Sequence, residues 1–251
     1  MLAFVTDTTV DLARSAARFG EGLFETIRIQ AGSPRWITLH HDRLAAGCGA
    51  LGLEAPPPLA ELRASVAPLC EGLAFGALRL LAVDGRLMAW AEPLEPEAPR
   101  PRTRTLGLAH TVQRAAGSFG TRFKTLSYLD NRLLHREALA RRLDAVVAAN
   151  TAGRLTDTAH ATLAVVLGDR LLTPPAAEGA LPGIGRRILL EAGLLEEARL
   201  TWADLDRAEG VALLNALRGL SPVGHLEGLG PLDPAHPLLI RAAEVLEAAL
   251  G

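Results

Sequence analysis

The chain has 251 residues, 49% of them apolar and 22% charged, enough for one large or two modest domains with a core that needs no disulfide staples. A net charge of −2 gives no global basic field for nucleic acid, and 4% aromatic residues leave little for a base-stacking surface. No run approaches the roughly 20 apolar residues that cross a bilayer, no secretory leader is read at the N-terminus, and Cys48 and Cys70 lack a CxxC spacing, so the expectation is a cytoplasmic protein with reduced thiols.

In chain order, GLFETIRIQAG (22–32) alternates and is β-rich, which predicts a strand ending at the Gly32-Ser33-Pro34 turn. Trp36 to Leu39 is expected to return as a partner strand. From His40 to Leu53, Leu44, Cys48 and Leu51 recur at helical spacing. Pro56, Pro57 and Pro58 break the chain before a second helix over 59–73, and 77–93 reads as two strands about an Asp84-Gly85 turn. Residues 92–103 carry a proline-rich linker, extended and semi-rigid. A strand is expected over 105–113 and an amphipathic helix over 129–143. Short strands then follow through Pro174, a helix over 180–195 preceded by Pro182 and Gly183, strands within 210–226, and a closing helix over 237–250. The expected class is α/β (α+β), with an N-terminal domain over 1–91, the linker 92–103 and a C-terminal domain over 104–251.

Lys124 is the only lysine in the chain; the other 25 basic residues are arginine, and the only tyrosine, Tyr128, lies four residues on. Arginine stays protonated and cannot serve as an amine nucleophile, whereas lysine can lose its proton and condense with a carbonyl. In a chain that otherwise uses arginine, a retained lysine marks a position where the exchange would not be neutral. Arg122 supplies a nearby cation, and Phe123 and Leu126 supply apolar surface. If that amine holds an aldehyde cofactor such as pyridoxal 5′-phosphate, an anion cup and a carboxylate for the ring nitrogen should exist. LPGIGRR (181–187) puts Gly183, Ile184 and Gly185 at a helix start, where free N–H groups favour phosphate. NALRG (215–219) offers further N–H groups, Arg43 in HHDRL a cationic fork, and Asp157 in RLTDT a carboxylate. No HExxH or Cys/His cluster points to a metal. His160 and His225 are read as exposed or satisfied side chains.

In this order the blocks FGEGLFETIRI (19–29), HHDRLAAGCGALGL (40–53), FKTLSYLDNRLLHREAL (123–139), NTAGRLTDTAHATLAVVLGDRLLTPP (150–175), GALPGIGRR (179–187) and NALRGLSPV (215–223) resemble the class IV aminotransferases, the fold-type IV pyridoxal-phosphate enzymes. The resemblance implies two α/β lobes with the cofactor cleft between them and, usually, a homodimer. By resemblance, Lys124 would carry the cofactor and shuttle the proton. Arg43 and the backbone amides of Ile184, Gly185, Ala216 and Leu217 would bind the phosphate. Tyr128 would lie near the cofactor, Asp157 would face the ring nitrogen, and Glu25 would be an acid on the substrate side. The chain departs from the family at Asp157, where Glu is usual, at Thr162, where Asn is usual, and at Gly185 and Ala216, where hydroxyls are usual; this implies weaker cofactor retention.

The short chain and the wording of its late motif resemble aminodeoxychorismate lyase, which makes 4-aminobenzoate and pyruvate in folate biosynthesis. A class IV aminotransferase acting on branched-chain or D-amino acids with 2-oxoglutarate is the alternative, and a relative that has lost turnover is the third reading. Arg79 and Arg114 are candidates for the substrate carboxylates.

Overall fold

The computed structural model describes residues 1–11, 13, 18–96 and 103–249. Residues 97–102, within the expected linker, lie outside the described residues. The chain divides into two compact units, residues 1–96 with 123–128, and residues 97–122 with 129–251. The lysine segment, which the sequence leaves in the C-terminal domain, thus groups with the first unit.

The first unit is a five-stranded sheet in the order β1-β5-β4-β2-β3, formed by β1 (Ala3–Val5), β2 (Leu23–Gln30), β3 (Ser33–Pro34), β4 (Phe75–Val83) and β5 (Arg86–Pro93). Two helices, α1 (Ile37–Leu51) and α2 (Leu59–Cys70), add Ile37, Leu44, Cys48, Leu62, Val66 and Cys70 to its core. On β2 the side chains of Leu23, Glu25, Ile27 and Ile29 are buried while their neighbours are only half-buried, the period-2 pattern of a strand with one face on the core. β4 and β5 meet at Asp84-Gly85, as the turn signal predicts. The expected strand at Trp36 to Leu39 is replaced by the start of α1. Trp36 takes a left-handed conformation (φ 53°) that turns the chain into the helix, and only Ser33 and Pro34 pair with β2. Pro34 has no N–H to extend that ladder.

The lysine segment completes the same edge of β2. Lys124 C=O accepts from Phe24 N–H at 2.9 Å, Gly22 C=O accepts from Leu126 N–H at 3.0 Å, and Leu23 bridges Thr125 in antiparallel fashion. Gly22 makes this approach possible: a Cβ there would stand 2.7 Å from the Ala82 carbonyl oxygen and 2.8 Å from Leu126 Cδ1.

The second unit holds β6 (Arg104–Arg114), β7 (Ala145–Asn150), β8 (Leu155–Thr158), β9 (Thr162–Leu167), β10 (Arg170–Thr173), β11 (Leu195–Glu197), β12 (Gly210–Asn215), β13 (Gly219–Leu226) and β14 (Gly230–Pro231). The strands run β9-β12-β13-β6-β7-β8, and the pair Asp157 with Thr162 returns β8 to β9 and closes a ring. β10 and β11 extend outward from β9, and β14 pairs β13. Leu106, Val147, Leu163, Val165, Val211 and Val223 form one core cluster of this unit. Helix α3 (Phe119–Arg122) is short; α4 (Leu129–Ala140) packs Leu134 and Ala138 on Val146 and Ala148 of β7. Helices α5 (Ile184–Glu191) and α6 (Pro237–Ala248) complete the unit. Among the described residues no helix is long and apolar enough to cross a membrane.

Candidate active site

Lys124 is held on the first unit by two aromatic rings. Its Nζ lies 4.1 Å from the Phe24 ring centroid and 5.2 Å from that of Tyr128. The two rings meet edge to face, with centroids 5.1 Å apart and planes at 86°. Phe24 is placed by β2 and Tyr128 by the lysine segment, so the backbone pairing at Gly22 to Phe24 fixes both walls around the amine. Rings on two sides shed water from the nitrogen.

Behind Phe24, the next residue of β2 points into the core. Glu25 is 1% exposed, an acid in a row of Leu23, Ile27 and Ile29. Both of its oxygens are taken by α1. Arg43 donates from Nε to Oε1 at 2.8 Å and from Nη2 to Oε2 at 2.5 Å, and His40 Nδ1 lies 2.7 Å from Oε2. His40 and Arg43 are three residues apart and so share a helix face. Burial alone would push the Glu25 carboxyl up, but Arg43 and His40 outweigh it and hold it at about 2. Burial holds the His40 imidazole below its ordinary range despite Glu25, with Arg43 and Lys124 adding to the depression. A neutral His40 facing a carboxylate must carry its proton on Nδ1, which leaves Nε2 as a buried lone pair with no partner.

In the second unit, Asp157 on β8 is buried, and both of its oxygens are engaged. Arg114, at the end of β6, donates from Nη2 to Oδ1 at 3.3 Å, and Leu181 N–H donates to Oδ2 at 3.0 Å. Arg114 also reaches Asn131 Oδ1 on α4 at 3.3 Å. Burial pushes the Asp157 carboxyl up, with Arg114 and the Leu181 amide working against it. Two residues after Leu181, Gly183 precedes α5 and offers no side-chain cap, so the first-turn N–H groups, including those of Ile184 and Gly185, have no capping side chain. Gly183 is where the chain passes close to β9: a Cβ there would stand 2.8 Å from Thr162 Oγ1. Free N–H groups and the helix dipole at such an N-terminus favour an anion.

Some expectations are revised. Glu25 is no open substrate-side acid, because it is sealed in the core with both oxygens bonded. The Leu217 N–H turns to Asn215 Oδ1 at 3.0 Å, as does that of Arg218 at 2.7 Å, so this asparagine rather than an anion takes the Leu217 amide. Arg79 is forked onto Glu92 and donates to Thr26 Oγ1 at 3.1 Å, and Arg114 is committed to Asp157, so neither stands open for a substrate carboxylate. His160 and His225 are exposed. Sequence reasoning missed His40 and Phe24. The spacing of His40 and Arg43 was the available signal for the first; nothing before the fold pairs Phe24 with Lys124.

A family model for amino-transferase class IV matches residues 22–226. The chain belongs to the class IV aminotransferases. A D-alanine aminotransferase of Listeria monocytogenes serotype 4b (strain F2365) is 25% identical over 249 residues, covering 90% of this chain and 86% of that one. The crystal structure of a candidate 4-amino-4-deoxychorismate lyase from Legionella pneumophila superposes with a TM-score of 0.85 at 21% identity, covering 98% of each chain. A candidate amino-acid aminotransferase from Mesorhizobium loti is 31% identical, with a TM-score of 0.73 over 82% of this chain and 99% of that one. The mixed α/β architecture is that of the class IV aminotransferase fold.

Proposed function

We propose that this protein is a pyridoxal-phosphate-dependent lyase that converts 4-amino-4-deoxychorismate to 4-aminobenzoate and pyruvate. Pyridoxal phosphate is the cofactor of the class IV family, and the residues present suit it. They are a single lysine between two rings, an uncapped helix N-terminus and a buried carboxylate. The placement of Lys124 carries the proposal, because it is the chain's only amine side chain and the fold devotes two aromatic walls to it.

The cofactor, when bound, supplies an electron sink for the carbon that bears the substrate amine. Lys124 Nζ would hold it and would be the base that takes the proton from that carbon. The Phe24 and Tyr128 rings keep water from the same nitrogen, with Tyr128 lying beside the cofactor. The N–H groups at Ile184 and Gly185, with that of Ala216, hold the phosphate. Arg43 adds the cation, oriented by its two bonds to Glu25. Asp157, steadied by Arg114 and the Leu181 amide, faces the ring nitrogen. Where the family has the longer Glu, this bracing fixes the shorter acid, and the gap left by one methylene is of the order of 1.5 Å.

The NALRG-x-x-PV motif favours the lyase, and the likeness to the Legionella protein supports it. The D-alanine aminotransferase similarity favours transamination as the second reading, and the homodimer usual in the family is expected under either. A coupled assay decides between them. Pyruvate released from 4-amino-4-deoxychorismate with no keto acid added is the expected result; turnover that requires 2-oxoglutarate and a D- or branched-chain amino acid contradicts the lyase.

A further inference from the structure

His40 is fully buried in the first unit, and its imidazole uses one nitrogen only. Nδ1 lies 2.7 Å from Glu25 Oε2, while Nε2 has no hydrogen-bond partner. Buried polar atoms are normally paired, and an apolar side chain would fill this space without leaving one unanswered. Nor is the ring needed to neutralise the acid, because Arg43 already forks onto both oxygens of Glu25. What His40 adds is a third bond from a second direction. On the reading that Arg43 supplies the cation for the cofactor phosphate, we propose that His40 is a positioning residue of that site, fixing through Glu25 the direction in which Arg43 meets the phosphate.

The last torsion of a glutamate side chain is soft, with a broad preference in place of staggered wells. A guanidinium fork alone lets the carboxylate and the arginine swing together about it. His40 and Arg43 share one face of α1 and reach Glu25, on β2, from that face. Three bonds from two residues of one helix to the two oxygens take up the slack in that torsion. The fork uses Nε and Nη2, one edge of the guanidinium, so the plane of the carboxylate sets where the opposite edge faces. Burial follows the same gradient: the side chains of His40 and Glu25 are 0% and 1% exposed, and that of Arg43 is 12% exposed. The anchor is sealed, and the group it aims is the least buried of the three.

The third donor must also be neutral. Glu25 and Arg43 already balance, and a protonated His40 would leave an uncompensated positive charge beside Arg43, which Lys124 disfavours further. A neutral imidazole adds direction without adding charge. Placement of this kind matters for a group that binds a ligand, since such groups must be held to within roughly 0.5 Å by the side chains behind them.

Asparagine and glutamine separate this role from the filling of space. Asparagine brings an amide donor to the place of Nδ1; glutamine, closer to histidine in size, carries it one methylene further, toward the place of Nε2. Absorbance titration of the full chain compares the parent, His40→Asn and His40→Gln, with pyridoxal phosphate in one arm and pyridoxal, which has no phosphate, in the other. Pyridoxal phosphate affinity within about threefold of the parent is expected in His40→Asn and a loss of tenfold or more in His40→Gln, with pyridoxal affinity alike in all three. Space filling gives the opposite order. That order, an asparagine variant as weak as the glutamine one, equal pyridoxal phosphate affinity throughout, or a loss as large with pyridoxal overturns the proposal. A parent that takes up neither compound ends the cofactor reading instead, and the NMR resonance of Arg43 Nε–H then decides the positioning. Held in the Glu25 fork, it should persist in His40→Asn and broaden or vanish in His40→Gln; equal resonances in the two variants overturn the role of His40.

Discussion

Glu25, His40 and Arg43 place ionisable groups in the core of the first unit, and the cost of that burial is met only while their charges match. Glu25 and His40 respond to acid in the same direction. The Glu25 carboxyl is held at about 2 in the fold, against 4.5 for an ordinary glutamate. The stability it contributes is therefore complete above 4.5 and is lost as pH falls toward 2, on the order of 3 kcal/mol in full. His40 is held below its ordinary 6.5, so the unfolded chain takes up a proton there that the folded chain refuses, and stability falls as pH drops below 6.5. Urea unfolding from pH 7.5 to 3.5 should thus show a decline that begins near 6.5 and steepens below 4.5. In His40→Asn the upper limb should flatten while the lower one remains. A parent whose stability is level from 6.5 to 4.5 would contradict this assignment of charge. The cluster was half legible in the sequence. His40 and Arg43 fall on one helix face by spacing alone, but the acid that meets them lies on a strand, and an alternating pattern marks position 25 as buried without saying what it faces.

Elements whose signals are local were the readable ones. The β4–β5 hairpin follows from two β-rich runs about Asp84-Gly85, and α4 from its amphipathic period. Strands β1 and β11 were not readable, because three residues carry no period and each is defined by a parallel partner supplied from elsewhere, β5 for one and β10 for the other. The Trp36 stretch misled because bulky residues score as strand while a single left-handed residue converts them to a helix start. At α5 the local reading of Pro182 and Gly183 before a helix holds, and the helix begins at Ile184. Gly183 then becomes a direct probe of the proposed phosphate cradle. A methyl group there would meet Thr162 Oγ1 at 2.8 Å and displace the first turn from β9. Gly183→Ala is expected to weaken pyridoxal phosphate binding at least tenfold in an absorbance titration while shifting the melting temperature by only a few degrees, the scale of about 1 kcal/mol in a domain of this size. Unchanged cofactor affinity would separate this helix from the phosphate.

Across the whole molecule, the legible part was the ordered series of blocks, and the hidden part was what non-local pairing does with them. The parallel registers of β13 with β6 and of β6 with β7 join segments far apart in the chain, and no run of residues announces them. The same holds for residues 123–128, which lie in sequence between parts of the second unit and yet complete the edge of β2 in the first. That pairing sets Lys124 against Phe24 and turns a lone lysine into a walled amine. The central claim is that this amine holds the cofactor. Because the chain has one lysine, borohydride reduction of the pyridoxal-phosphate-loaded protein followed by peptide mass mapping gives an unambiguous result. The account predicts a single phosphopyridoxyl addition on Lys124, with loss of the visible absorbance band, and neither in Lys124→Ala. A protein that reduces with no label on Lys124, or one labelled only at its N-terminal amine, would contradict it.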